Sequence, residues 1–110
     1  MYSSGLTFAL KPGCYAEYKK AHDELWPEIA TALRDNGVSM VIHYYEDRLF
    51  LFATAPSREA MEQSHAGEAM ARWQEYMATL MITGEDGKTV VDELQTAFAF
   101  GDFADGCDPS

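Results

Sequence analysis

A tyrosine, a histidine and a tryptophan recur at four-residue spacing in the stretch Tyr18-Lys19-Lys20-Ala21-His22-Asp23-Glu24-Leu25-Trp26-Pro27-Glu28. At about 100° of rotation per residue, Tyr18, His22 and Trp26 fall on successive turns of one helix stripe, with Tyr15, Leu25, Ile29 and Leu33 on or beside it. Lys19, Lys20, Asp23 and Arg34 fall on the opposite side. His22 is therefore expected to point inward with the apolar residues, one turn after a phenol. An imidazole titrates near neutrality and a neighbouring hydroxyl can help to hold its proton, so the pair suits general acid–base chemistry. Pro27 cannot donate a backbone hydrogen bond to the carbonyl of Asp23. The helix must kink or restart just past His22, and such a break can widen a gap between helix and sheet.

Other residues carry weaker chemical signals. Gly-rich phosphate loops, paired-cysteine motifs and a serine elbow do not occur in the sequence. His22, His43 and His65 lie in separate elements without the carboxylate spacing that announces a metal, so neither a metal nor a cofactor is expected. His65 reads as an ordinary exposed or hydrogen-bonded side chain. His43 reads mainly the same way, although it shares a strand face with Val41 and Tyr45 and so stands where a pocket could be lined. Trp73 and the methionines around it suit the core face of an amphipathic helix. An indole is also a surface on which the apolar face of a sugar stacks, and both readings of Trp73 stay open. His22 itself can be read as a satisfied core histidine or as a proton carrier, and Tyr18 beside it brings the second reading level with the first.

The elements that must position these residues follow from periodicity. Leu6 to Leu10 alternates as a strand, and Pro12-Gly13 hands it over to the helix just described, which Asn36-Gly37 terminates. Val38 to Tyr45 and Arg48 to Thr54 are rich in β-branched and aromatic residues and are joined by Glu46-Asp47, which reads as a hairpin. Ser57 is the expected N-cap of a short helix that Gly67 interrupts. A second helical stretch carries Met70, Trp73, Met77 and Leu80 or Met81 on one stripe. After a turn at Gly84–Gly87, Val90 to Phe100 reads as the last strand, with Leu94, Thr96, Phe98 and Phe100 on one face. The sum is an α+β, ferredoxin-like βαββαβ order: an antiparallel sheet with helices on one face. Leu49-Phe50-Leu51-Phe52 does not alternate, so both faces of that strand should be buried, one of them by a partner subunit. Residues 1–100 are expected to form a single domain and residues 101–110 an acidic tail.

Bulk composition narrows the partners. The 110 residues carry a formal net charge of −10, with 47% hydrophobic and 13% aromatic side chains. Nucleic acid and anionic membrane surfaces repel such a chain, and a small neutral substrate is the natural inference. An apolar run long enough to span a membrane and a signal-peptide pattern are both missing from the sequence, so a cytoplasmic location is expected. Cys14 and Cys107 are then read as unpaired thiols.

Taken together, Tyr18, His22, Trp26-Pro27-Glu28, Gly37, the Leu49-Phe50 strand and the Arg72-Trp73 helix ending at Met77 resemble the L-rhamnose mutarotase family, from about Leu6 to Phe100. The resemblance implies a ferredoxin-like homodimer, a dimeric α+β barrel, that interconverts the α and β anomers of a neutral deoxyhexose. It implies that His22 is the general acid and that Tyr18 contacts the sugar. Two adjacent tryptophans line the family's site on the later helix; here they are Trp73 and Gln74. The family's strand tyrosine falls on Val41 without a gap, and its Asn-Pro-Asp loop is replaced by Gly84-Glu85-Asp86-Gly87. These departures touch sugar contacts rather than the proton-transfer pair, and leave open which sugar is preferred. Two other classes compete: a non-catalytic sugar-binding relative, and a dimeric α+β-barrel monooxygenase or haem-handling protein.

Overall fold

The computed structural model describes residues 1–106, so Cys107 and the rest of the expected tail lie outside the described residues. Strand β1 (Tyr2–Ala9) starts before the Leu6–Leu10 alternation because its first residues already pair with β3 (Arg48–Ala55), Tyr2 opposite Ala55 and Ala9 opposite Arg48. Leu10 leaves the ladder and makes an isolated bridge to Met81. Helix α1 (Tyr15–Asp23) stops where expected, and α2 (Pro27–Asp35) restarts with Pro27 in its first turn, where a missing N–H costs nothing. At the far end of α2 the Gly37 N–H donates to the Arg34 carbonyl and the Val38 N–H to the Leu33 carbonyl. This is a Schellman closure, and Gly37 adopts φ +67° within it.

Strand β2 (Ser39–Tyr45) and β3 form the expected hairpin. Glu46 and Asp47 both take positive φ, 49° and 61°, the combination that matches the twist of a two-residue turn. Helix α3 (Arg58–Ser64) is capped by Ser57, whose Oγ accepts from the Ala60 N–H at 3.1 Å. Gly67, at φ 101°, separates it from α4 (Glu68–Ala78). The sheet closes with β4 (Val91–Glu93) in the order β2-β3-β1-β4, every pairing antiparallel, which is the ferredoxin-like arrangement.

One expectation needs correction. The last strand is much shorter than Val90–Phe100. Beyond the bond from the Leu94 N–H to the Gly5 carbonyl its alternation joins no strand among the described residues, and Phe98 and Phe100 stand 82% and 80% exposed. On β3, Leu49 is 1% exposed under the helices, while Phe50 and Phe52 on the opposite face, the one expected to meet a partner subunit, are 37% and 39% exposed. Residues Gly101–Gly106 form a 3-10 helix, and the Phe103 ring meets Phe52 edge-on at 5.3 Å.

The core lies between sheet and helices. Phe8, Leu10 and Leu49 pack there with Tyr18, Ile29, Met70, Trp73, Met77, Leu80 and Met81. Burial of this apolar face is what fixes α1 and α4 against the sheet, and it sets His22 and Trp73 beside each other.

Candidate active site

Because α1 presents its Tyr18 stripe to the sheet, three aromatic rings meet below it. The Tyr18 and His22 rings lie 4.2 Å apart and tilted, and the edge of His22 meets Trp73 at 5.2 Å in a T-shaped contact. Trp26 meets Trp73 at 5.1 Å from the other side and stacks near Tyr76 at 6.2 Å, so it braces Trp73 and marks the restart of the helix. The Tyr76 hydroxyl donates to the Glu17 carboxylate at 3.1 Å and ties α4 to α1.

The hydrogen bonding fixes the state of the imidazole. His22 Nδ1 lies 2.9 Å from the backbone oxygen of Tyr18. A carbonyl only accepts, so Nδ1 carries a hydrogen, and in the neutral ring Nε2 keeps its lone pair. Burial lowers the pKa of His22 below its usual value, against the opposing pull of the Tyr18 carbonyl and the Asp23 carboxylate. At neutral pH the ring is therefore mainly neutral, with Nε2 ready to take a proton. Burial raises the pKa of Tyr18, so its phenol stays protonated and can act only as a hydroxyl.

His22 stands between two cavities. One, of about 400 Å³, runs between α1 and the hairpin and is lined by Tyr15, Tyr18, Lys19, Met40, Ile42 and Tyr44 among others. That volume is in the range of small-molecule sites. The second, of about 130 Å³, lies on the α4 side, where Tyr18 and His22 are joined by His65, Met70, Trp73 and Gln74. Both are walled mainly by apolar and aromatic surface, with a few polar groups converging on His22. Such a site suits a small neutral ligand with an apolar side.

The residues named from sequence sort clearly. Tyr18, His22 and Trp73 are brought into contact, and Gln74 lies at the rim of the smaller cavity, its amide 3.7 Å from the Met70 sulfur. Val41 does not belong with them. It faces the outer side of the sheet together with His43 and Tyr45, while Met40, Ile42 and Tyr44 face the cavity. Side chains alternate along a strand, so the neighbours of Val41 reach the cavity within this chain and Val41 itself does not. His43 likewise lines neither cavity.

Sequence reasoning missed Tyr15, Tyr44 and His65 as lining residues. Tyr15 had a signal, its place beside the Tyr18 stripe, and it stacks on Tyr44 at 3.8 Å. His65 had none, because it reaches the site only through the packing of α3 and α4. Among the described residues, no three His, Cys, Asp or Glu side chains gather as a metal site would need. No helix among them is long and apolar enough to cross a membrane.

The chain is similar to known proteins over most of its length. A family model described as L-rhamnose mutarotase matches residues 4–100. A Burkholderia orbicola protein named L-rhamnose mutarotase is 39% identical over 92 residues, 81% of this chain and 88% of that protein. A Mesorhizobium japonicum protein of the same name is 41% identical over the same shares. The crystal structure of an L-rhamnose mutarotase from Formosa agariphila superposes with a TM-score of 0.76 at 30% identity, covering 92% of this chain and all of that one.

Proposed function

The chain belongs to the L-rhamnose mutarotase family, and from that premise we propose that it interconverts the anomers of L-rhamnose or a close neutral relative, with His22 as the proton carrier. The carrying observation is the imidazole held by the Tyr18 carbonyl, with Nε2 unpartnered among the described residues at the junction of two cavities. The anomeric hydroxyl and the ring oxygen are bonded to the same carbon, so one nitrogen can serve both. Nε2 takes the anomeric proton. The bond from the anomeric carbon to the ring oxygen breaks as the carbonyl forms, and Nε2 hands the proton to the ring oxygen. Rotation about the next carbon–carbon bond exposes the other carbonyl face, and the reverse transfers close the ring as the other anomer. Tyr18 orients the sugar through its protonated hydroxyl, Trp73 offers an apolar wall, and Gln74 offers hydrogen bonds where the family presents a second indole. A positioned acid–base group contributes about 10²- to 10⁴-fold in rate.

The homodimer and the cytoplasmic location are part of the same reading. Val41, Tyr45, Phe50 and Phe52 leave an apolar patch on the outer sheet face, which a second copy would cover. Exchange NMR between the anomeric signals of L-rhamnose tests the activity. The protein should speed exchange beyond buffer, and His22→Ala should return the rate to buffer with the circular dichroism unchanged. Parent-like exchange by the variant removes His22 from the mechanism.

A further inference from the structure

His65 and His22 are held alike. His65 Nδ1 lies 3.0 Å from the Met61 carbonyl, four residues back, as His22 Nδ1 lies 2.9 Å from that of Tyr18. Ser64 strengthens the second arrangement. Its side chain is fully buried, its hydroxyl donates to the Met61 carbonyl at 2.7 Å, and its oxygen stands 2.9 Å from His65 Nδ1. With the hydroxyl hydrogen spent on Met61, both groups facing Nδ1 are acceptors, so Nδ1 carries the hydrogen. Nε2 of the neutral ring is left as an acceptor without a protein partner among the described residues. This ring lines the same 130 Å³ cavity as His22, Trp73 and Gln74.

We propose that His65 is a substrate-contact residue: with Gln74 it forms a polar rim that hydrogen-bonds a sugar hydroxyl other than the anomeric one. The inference rests on the mutarotase reading and extends it. Once the anomeric and ring oxygens face His22, the groups that α3 and α4 can reach belong to other carbons of the ring. An imidazole acceptor beside an amide matches a hydroxyl, which both donates and accepts. The Ser64 hydroxyl fixes the ring orientation before substrate arrives, so little freedom is lost on binding.

A simpler role would be to finish α3, since the Nδ1 bond also satisfies a helix-end carbonyl. Substitutions can separate the two. Asn at position 65 can keep a donor near the Met61 carbonyl but has no group at the Nε2 position, whereas Gln can reach that position. Titrations of L-rhamnose and of its monodeoxy analogues, read by NMR for both affinity and anomer exchange, compare parent, His65→Asn and His65→Gln. His65→Asn should weaken L-rhamnose binding roughly fivefold, the order of one neutral hydrogen bond, and His65→Gln should recover part of the loss. Unfolding temperatures should stay unchanged. One deoxy analogue, lacking the contacted hydroxyl, should bind parent and His65→Asn equally. Unchanged affinity, an equal loss for every analogue, or a loss that tracks a lower unfolding temperature would overturn the proposal. If the parent binds sugars without speeding exchange, the mutarotase reading fails, and the affinity comparison still decides His65.

Discussion

The two faces of the sheet share strands and backbone and differ in everything else. On the helix side, Phe8, Leu49 and Ala53 are buried, and His22 is pinned between a tyrosine, a tryptophan and a backbone carbonyl. On the outer side, Val41, Tyr45, Phe50 and Phe52 surround a second histidine, His43, with comparably apolar neighbours. Yet His43 has no fixed hydrogen-bond partner among the described residues and opens on neither cavity beside His22. Apolar company alone therefore does not make an imidazole useful. What distinguishes His22 is a hydrogen bond that selects its tautomer, rings that hold its plane, and empty space at the free nitrogen.

The largest expected effect sets these two histidines against each other. His22→Ala should lower anomer exchange by about 10²- to 10⁴-fold, and His43→Ala should leave exchange per folded molecule nearly unchanged. Comparable losses from both, measured by exchange NMR at matched concentration, would mean that the outer face takes part in the chemistry.

Next comes a contrast between neighbours on β3. Leu49→Ala removes a side chain that is 1% exposed in the core and should cost about 2–5 kcal/mol in denaturant unfolding. Phe50→Asp, one residue on, should cost the isolated fold far less but place a charge in the patch assigned to a second copy. Its expected signature is a halved mass in light scattering. A parent mass that is already monomeric, or one that Phe50→Asp leaves unchanged, removes the dimer from the account of this face.

A smaller effect follows from the charge state of His22. Burial depresses its pKa in the folded protein, so in the proposed mechanism the neutral ring takes the proton and exchange should fall as pH drops through that lowered value. The rate should change about tenfold per pH unit at the acid end and level off toward neutrality. Stability follows the same sign: the unfolded chain binds the proton more readily, so the contribution of His22 is present above the unfolded pKa and is lost as pH falls through the folded one. A rate that instead rises in acid would make the imidazolium the entering form.

How much of this could be read in advance depends on what kind of order each residue obeys. Tyr18, His22 and Trp73 were legible because a helix repeats every 3.6 residues, and Pro27 announced the break between α1 and α2. Val41 lines neither cavity because a strand repeats every two residues, and its neighbours Met40 and Ile42 take the inner face. Leu94, Thr96, Phe98 and Phe100 alternate as a strand should, but alternation records a face and not whether a neighbouring strand exists. His65 left no trace in any period; its relation to the site arises only when α3 and α4 pack together. The doubled apolar pattern of β3 leaves Leu49 fully buried and Phe50 and Phe52 partly exposed within one chain.

The smallest effect concerns a polar knot on the outer side. Thr7, itself buried, donates from Oγ1 to the Leu49 carbonyl at 3.0 Å and accepts from Arg48 Nε at 2.9 Å, while Arg48 Nη2 reaches the Asp92 carboxylate at 3.2 Å. These bonds join β1, β3 and β4 across the sheet. Thr7→Val keeps the shape of the side chain but removes both hydrogen bonds, and the half-exposed Arg48 can turn to water in compensation. The expected cost is about 1 kcal/mol in unfolding, with anomer exchange untouched because the Thr7, Arg48 and Asp92 side chains line neither cavity beside His22. Asp92→Asn should cost less again, since the ion pair it weakens is exposed and screened by salt. If Thr7→Val slows exchange as much as it loosens the fold, the outer face shapes the site through the sheet, and the separation between the two faces is less complete than their burial implies.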